Sequence, residues 1–259
     1  MNNFHILASG SKANCYILET SREAVVVDQG LSYRKFCVLC NDLGIDTGKI
    51  TSILVTHEHS DHIKGVPFTA KKLGVPVYTT EGTATPLKKK DKYGMEIIPL
   101  EKEKKFSAGG IEFIPFPLMH DAADPVGFCF HLEDNKKLSI STDTGVVTSH
   151  ILRHISESSY LVLESNHDRG MLNSNTKYPQ WLKTRVKSSK GHLSNTQCMD
   201  VLRRIQSGRL KNVIFSHLSE NNNDPEIVKF LATGTIKQTN LVCEPFIAMQ
   251  EKAFSMLLT

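Results

Sequence analysis

Ile53-Leu54-Val55-Thr56-His57-Glu58-His59-Ser60-Asp61-His62 decides the reading: an apolar run breaks into three histidines and an aspartate within six residues. The apolar part predicts a buried strand, and the polar part a turn leading into a helix. In an extended turn His57 and His59, two positions apart, point to one side. Asp61 and His62 fall where the helix begins and offer a second group of donors. Imidazole nitrogens with a carboxylate suit a zinc-like or manganese-like ion. A single histidine at a strand–helix junction is ordinary; this cluster directly behind an apolar strand points to a metal.

More ligand-type residues follow apolar strands further along. His120 comes after Ile111–Met119, Asp143 after Lys137–Ser141 in Ser-Thr-Asp-Thr-Gly, and His217 after Asn212–Ser216. Each taken singly is equally well a turn or capping residue. Together with the first cluster they make seven donors, which suits two ions that share one carboxylate.

Strand-like runs also appear at Phe4–Ala8, Cys15–Glu19, Ala24–Asp28, Val77–Thr79, Gly127–Glu133 and Tyr160–Glu164. Helical periodicity predicts helices over Tyr33–Leu43, Asp61–Leu73 and Ser194–Ile205, and another starting at Asp224-Pro225. Ser194-Asn195-Thr196-Gln197 has the form of a capping box. Lys88–Lys105 reads as a polar surface excursion. The alternation predicts an α/β fold of layered sheets and helices, with the whole chain 1–259 as one domain.

His57-x-His59-x-Asp61-His62, followed in order by His120, Asp143 and His217, resembles the ligand signature of the metallo-β-lactamase superfamily. That resemblance implies a four-layer αβ/βα sandwich of two mixed sheets faced by helices. It also implies that His57, His59 and His120 hold one divalent ion, and that Asp61, His62 and His217 hold the other. Asp143 would bridge the two. Zinc, manganese or iron fits such donors. The Leu7–Asn14, Val27–Ser32, Glu164–Asp168, Gly191–Asn195 and His217–Asn222 blocks resemble the YycJ/WalJ-like branch and reach across residues 4 to 225. Two departures stand out: Ala13 occupies a position usually held by glycine, and Gln29 sits between Asp28 and Gly30 where a small residue is usual.

Ser9, Ser11 and Asn14 belong to a small polar turn able to offer hydroxyls and amides to an anion, or equally a plain β-turn. His192 lies just before a helix N-terminus, which favours phosphate. It is a candidate catalytic residue beside Asp61, either touching the scissile phosphate or protonating the leaving oxygen; a capping role is the alternative. His167 is a candidate substrate contact, or else part of a Glu164–Asp168 buttress behind the ligands. Glu58 has no ligand role and suits a partner to a neighbouring group.

Two cations a few ångström apart lower the pKa of a bridging water and neutralise a phosphodiester. The resemblance therefore implies a dinuclear hydrolase that cuts DNA from a 5′ end. A hydrolase of a small phosphodiester, thioester or lactone, an RNA-processing nuclease and a non-catalytic metal-stabilised binding protein stay open beside it. Lys88–Lys92 and Arg185–Lys190 are candidates for tracking a phosphate backbone, and equally are solvated faces.

Composition narrows the classes. The chain has 259 residues, 40% hydrophobic and 22% charged, ordinary for a globular protein. A net charge of +4 is too small to argue nucleic-acid binding alone. No apolar run approaches the roughly 20 residues that span a bilayer, and residues 1–8, without a basic stretch ahead of a long apolar core, are not expected to act as a secretory signal. The six cysteines lack a paired zinc-site spacing, so a cytoplasmic protein with reduced thiols is expected.

Overall fold

The computed structural model describes residues 2–205, 208–239 and 241–259. In chain order the elements begin with β1 (Asn2–Ala8), β2 (Cys15–Glu19), β3 (Ala24–Val27), α1 (Tyr33–Asp42), β4 (Ile50–Leu54), α2 (Ser60–Ile63) and α3 (Val66–Leu73). Then come β5 (Val77–Thr80), α4 (Glu81–Lys90), β6 (Ile97–Leu100), β7 (Phe106–Ala108), β8 (Ile111–Pro117), β9 (Val126–His131), β10 (Lys137–Ser141) and α5 (Ser149–Ile155). The last are β11 (Tyr160–Glu164), α6 (Arg169–Ser174), α7 (Gln180–Lys187), α8 (Asn195–Arg204), β12 (Asn212–Ser216), α9 (Pro225–Gln238), β13 (Glu244–Ile247) and β14 (Phe254–Leu258). The strands are ordered β14-β1-β2-β3-β4-β5-β6 in one sheet and β13-β12-β11-β10-β9-β8-β7 in the other. Both sheets mix parallel and antiparallel pairs and carry helical crossovers between their parallel strands, which agrees with the expected α/β class of two mixed sheets faced by helices.

The chain divides into two compact units: Met1–Pro115 with Ala122–Val126 and Met249–Thr259, and Phe116–Asp121 with Gly127–Ala248. In the first, β1, β2, β3 and β14 pair antiparallel, whereas β3 to β6 run parallel. Parallel neighbours need long crossovers, and α1, α2 with α3, and α4 supply them. Their apolar faces bury Leu7, Ile17, Val26, Phe36, Ile53, Val66 and Val77 in one core. In the second unit β9 pairs antiparallel with β10, and β10 to β13 are parallel. There the crossovers carry α5, then α6 to α8, then α9, around a core that includes Phe116, Leu161, Leu163, Leu202, Phe215 and Val228.

The expected Asp61–Leu73 helix is in fact two. The chain breaks after Ile63 and restarts at α3 with Pro67 in its first turn. Proline has no N–H to continue the ladder of the preceding turn. At the break, a Cβ on Gly65 would lie 2.0 Å from the Leu31 carbonyl oxygen, so the backbone passes close there. Residues 88–105 lie at the surface as expected, with Leu100 alone buried, and they carry regular structure besides: Lys88–Lys90 close α4, and Ile97–Leu100 form a strand. The capping box at Ser194 is present, with reciprocal bonds to Gln197. Asp224 caps α9 ahead of Pro225.

All six cysteines are free thiols. Burial pushes the Cys40 thiol up to about 12 and raises that of Cys198 as well, so these act as packing atoms. Among the described residues, no helix is long and apolar enough to cross a membrane.

Candidate metal centre

Polar side chains collect where strands end. In the first unit, β4 runs out at Leu54, and Val55 and Thr56 lead to His57. Asp28 follows β3 with a φ of 57°. A non-glycine residue in this region is strained, and such strain gathers at functional sites. The Asp28 carboxylate is wholly buried. Oδ1 accepts from the Thr56 backbone N–H at 2.8 Å, and Oδ2 accepts from Thr56 Oγ1 at 2.8 Å and from His62 Nδ1 at 2.7 Å.

These bonds set the histidine tautomers, because an ionised carboxylate only accepts. The His62 proton therefore sits on Nδ1, and Nε2 presents a lone pair. Thr56 spends its hydroxyl proton on Asp28, so His57 Nδ1 donates to Thr56 Oγ1 at 3.0 Å and its Nε2 is likewise an acceptor. His57 Nε2 lies 3.1 Å from His59 Nδ1, and His62 Nε2 lies 3.3 Å from Asp61 Oδ2. The unit thus brings all four expected ligands of the turn together.

The Ser9–Asn14 block braces this turn. Asn14 is buried, and its amide nitrogen is 3.2 Å from Asp61 Oδ2 and 3.0 Å from His62 Nε2. Ser9 is buried against Tyr16 Oη at 2.9 Å, and Ser11 is exposed. The two sequence departures have local reasons. Ala13 is not among the residues at positive φ, so it needs no glycine. Gln29 is buried, donating to Thr69 Oγ1 at 2.7 Å and accepting from the Leu31 N–H at 2.9 Å. Gly30 is different: a Cβ there would lie 1.7 Å from the Asp61 carbonyl oxygen. Glu58 accepts from the Ala123 N–H at 2.8 Å, a partner role as expected.

The second unit repeats the device. Asp143, with φ 57°, follows β10, and His217, with φ 54°, follows β12. Between those strands lies β11, which ends in the wholly buried Glu164. Glu164 Oε1 accepts from His192 Nδ1 at 2.7 Å and His217 Nδ1 at 2.9 Å; Oε2 accepts from the Thr144 and Leu193 N–H groups at 3.0 and 3.1 Å. Burial alone would raise this carboxyl, but His192 and the two imidazole hydrogen bonds outweigh it and bring it down to about 2. Both rings are thereby left with Nε2 outward. His120 reaches the same state through the Gly191 carbonyl, which accepts from its Nδ1 at 3.1 Å.

One ligand-type atom from each of Asp143, Glu164, His192 and His217 lies within 4.8 Å of the others. His120 Nε2 is 3.9 Å from Asp143 Oδ1, and its ring centroid 5.0 Å from that of His192. His167 is 1% exposed, with no hydrogen-bond partner for Nδ1. Burial, ahead of the His192 and Arg169 charges, lowers its pKa to about 4. Of the five candidate substrate contacts, Ser9, Asn14 and His167 are buried, while Ser11 and His192 reach solvent.

Asp28 and Thr56 escaped the sequence reading as site residues. The only signal was an Asp-Gln-Gly block directly after a strand. Imidazole nitrogens with their other nitrogen pinned to a buried acceptor are what metal ligation uses, and the donor set suits a divalent ion.

A family model described as "Beta-lactamase superfamily domain" matches residues 25–217. The chain is 35% identical over 244 residues to the exodeoxyribonuclease WalJ of Streptococcus pneumoniae, covering 92% of this chain and 89% of that one. It is 34% identical over 242 residues to the exodeoxyribonuclease YycJ of Bacillus anthracis, covering 91% and 89%. Among solved structures, the metallo-β-lactamase fold protein YhfI from Bacillus subtilis matches with a TM-score of 0.74 at 13% identity, over 98% of this chain and 99% of that one. This last likeness shows the fold.

Proposed function

Because the chain belongs to the β-lactamase superfamily domain family, in its YycJ/WalJ-like branch, we propose that it is a metal-dependent nuclease that removes nucleotides from a 5′ end of DNA. His57, His59 and His120 would hold one divalent ion; Asp61, His62 and His217 a second; Asp143 both. The two units would then act as one hydrolase domain. The observation that carries this reading is the pair of buried carboxylates, Asp28 and Glu164, each fixing an imidazole so that Nε2 is offered as a donor. The names of the relatives support DNA as the substrate.

Two divalent cations supply charge neutralisation at the phosphorus and a lower pKa for the attacking water. The remaining work falls to the chain itself. Glu164 fixes the His192 ring through Nδ1, and Nε2 is assigned to give a proton to the departing oxygen. Asn14 holds Asp61 twice, its N–H donating to the Asp61 carbonyl oxygen at 2.8 Å and its amide nitrogen to Oδ2 at 3.2 Å, and the Gly30 N–H in turn donates to the Asn14 carbonyl oxygen. The free, mostly buried thiols support a reducing, cytoplasmic setting.

The test is cleavage of a 5′-labelled oligonucleotide alongside RNA, duplex DNA and bis-p-nitrophenyl phosphate, each with zinc or manganese. The wild type is expected to shorten DNA from its 5′ end, and Asp61→Ala and His59→Ala to abolish this. Full activity in either variant would overturn the ligand assignment; preference for RNA or for the small ester alone would overturn the substrate.

A further inference from the structure

No residue of α7 is buried. Trp181, the single tryptophan of the chain, is 67% exposed on it. The ring therefore withholds most of its large apolar area from the core, and its placement contributes little to folding.

The surrounding chain carries one sign of charge. From residue 169 to 199 there is no Asp or Glu, while Arg169, Lys177, Lys183, Arg185, Lys187 and Lys190 lie within it. Some of these cations are held in place. Lys183 Nζ donates to the Asn173 carbonyl oxygen at 2.7 Å, and Lys187 Nζ to Asn173 Oδ1 at 3.1 Å. Arg185 pairs with Asp121, the neighbour of His120.

The end of the helix is also tied to the centre described above. His192 N–H donates to the Val186 carbonyl oxygen, and Gly191 N–H to that of Ser188, both at 2.9 Å. A Cβ on Gly191 would lie 2.2 Å from the Val186 oxygen and 2.3 Å from the Arg185 oxygen. Only glycine permits so close a turn, and the turn holds α7 at a set distance from His192.

We infer that α7 is a platform for single-stranded DNA, with a base stacked on Trp181 and the strand's phosphates following the neighbouring cations. Charge complementarity selects a polyanion. An exposed indole selects unpaired bases, whose faces a duplex hides, and stacking tolerates any sequence. This inference rests on the nuclease reading and deepens it: the substrate is held beside His192 as an unpaired strand.

The sole tryptophan is its own reporter. Full-length protein is titrated with phosphorothioate oligothymidylate, which resists cleavage, and indole emission is followed at several salt concentrations. Emission is expected to be quenched on binding. With affinity read by fluorescence anisotropy of a dye-labelled oligothymidylate, because these variants carry no indole, Trp181→Ala, at a site too exposed for the fold to depend on it, should bind about tenfold more weakly than the wild type, and Trp181→Phe should recover most of that. Lys187→Gln should reduce the salt slope by about 1. Unchanged emission, wild-type affinity in Trp181→Ala, or tighter binding of duplex DNA or of oligouridylate would each overturn the platform. Because binding is read without cleavage, failure of the platform is distinguishable from failure of the nuclease reading, which is judged by what the metal-loaded wild type cuts.

Discussion

Asp28 Oδ2 stands 2.7 Å from His62 Nδ1, with neither side chain exposed to solvent. Glu164 and His217 repeat the relationship at 2.9 Å in the other unit. A buried carboxylate is costly unless its lone pairs are satisfied, and here both acids also accept backbone N–H groups. The imidazole completes the set and is held in return.

Replacing Asp28 with Asn keeps the shape but removes the charge that fixes the ring. Zinc or manganese affinity, measured by competition with a chromophoric chelator, should fall roughly 10- to 100-fold. Affinity equal to the wild type would remove Asp28 from this role.

His192→Gln separates proton delivery from metal holding. Cleavage of DNA, whose alkoxide leaves poorly, should slow by about 10² to 10⁴ in kcat with metal content unchanged. Hydrolysis of bis-p-nitrophenyl phosphate, whose leaving group needs no proton, should fall far less. Equal losses on both substrates would count against His192 as the acid.

The pKa of His167 lies at about 4 in the fold because the ring is buried, against about 6.5 in an unfolded chain. Above pH 6.5 neither state binds the proton, and no penalty arises. Between 6.5 and 4 the unfolded chain takes up a proton that the folded one refuses, so stability falls as pH falls, by about 3 kcal/mol in full. Urea unfolding at steps from pH 7 to 4 should show a shallower loss in His167→Gln than in the wild type; parallel curves would contradict it.

Gly30→Ala should be among the more damaging single-methyl additions. The new carbon meets backbone rather than a flexible tip, 1.7 Å from the Asp61 oxygen. A loss of about 1–3 kcal/mol is expected from overpacking, together with weaker metal binding as Asp61 is displaced. Wild-type stability by denaturant titration would refute the crossing.

The candidate ligands were legible because they stand at or just beyond the ends of apolar strands, where such residues have no packing reason to be. Their acceptors were harder to read. Asp28 meets a partner 34 positions away and Glu164 one 53 away, and nothing local distinguishes a buried acceptor from a turn residue. Among the described residues, four strands were not expected, β6, β7, β13 and β14; of these, β6 and β13 carry Pro99 and Pro245, which argue against a strand in the middle of a sheet. Both are edge strands, where the lost N–H bond costs least. Lys88–Lys90 read as surface and are exposed; what the reading lacked is that they close a helix, their charge sitting favourably at its C-terminal end.

Asp143, Glu164 and His217 hang from the ends of three consecutive parallel strands. Sheet geometry therefore spaces the strand ends, at about 4.8 Å per strand, and the side chains converge from there until Asp143 Oδ1 and His217 Nδ1 are 3.3 Å apart. A residue inserted within Tyr160–Glu164 would turn the glutamate to the opposite face of the pleat, so evolution can substitute there but not lengthen. Tolerance for insertions is left to the crossovers between the strands, and changes of substrate can be made there without moving the donors.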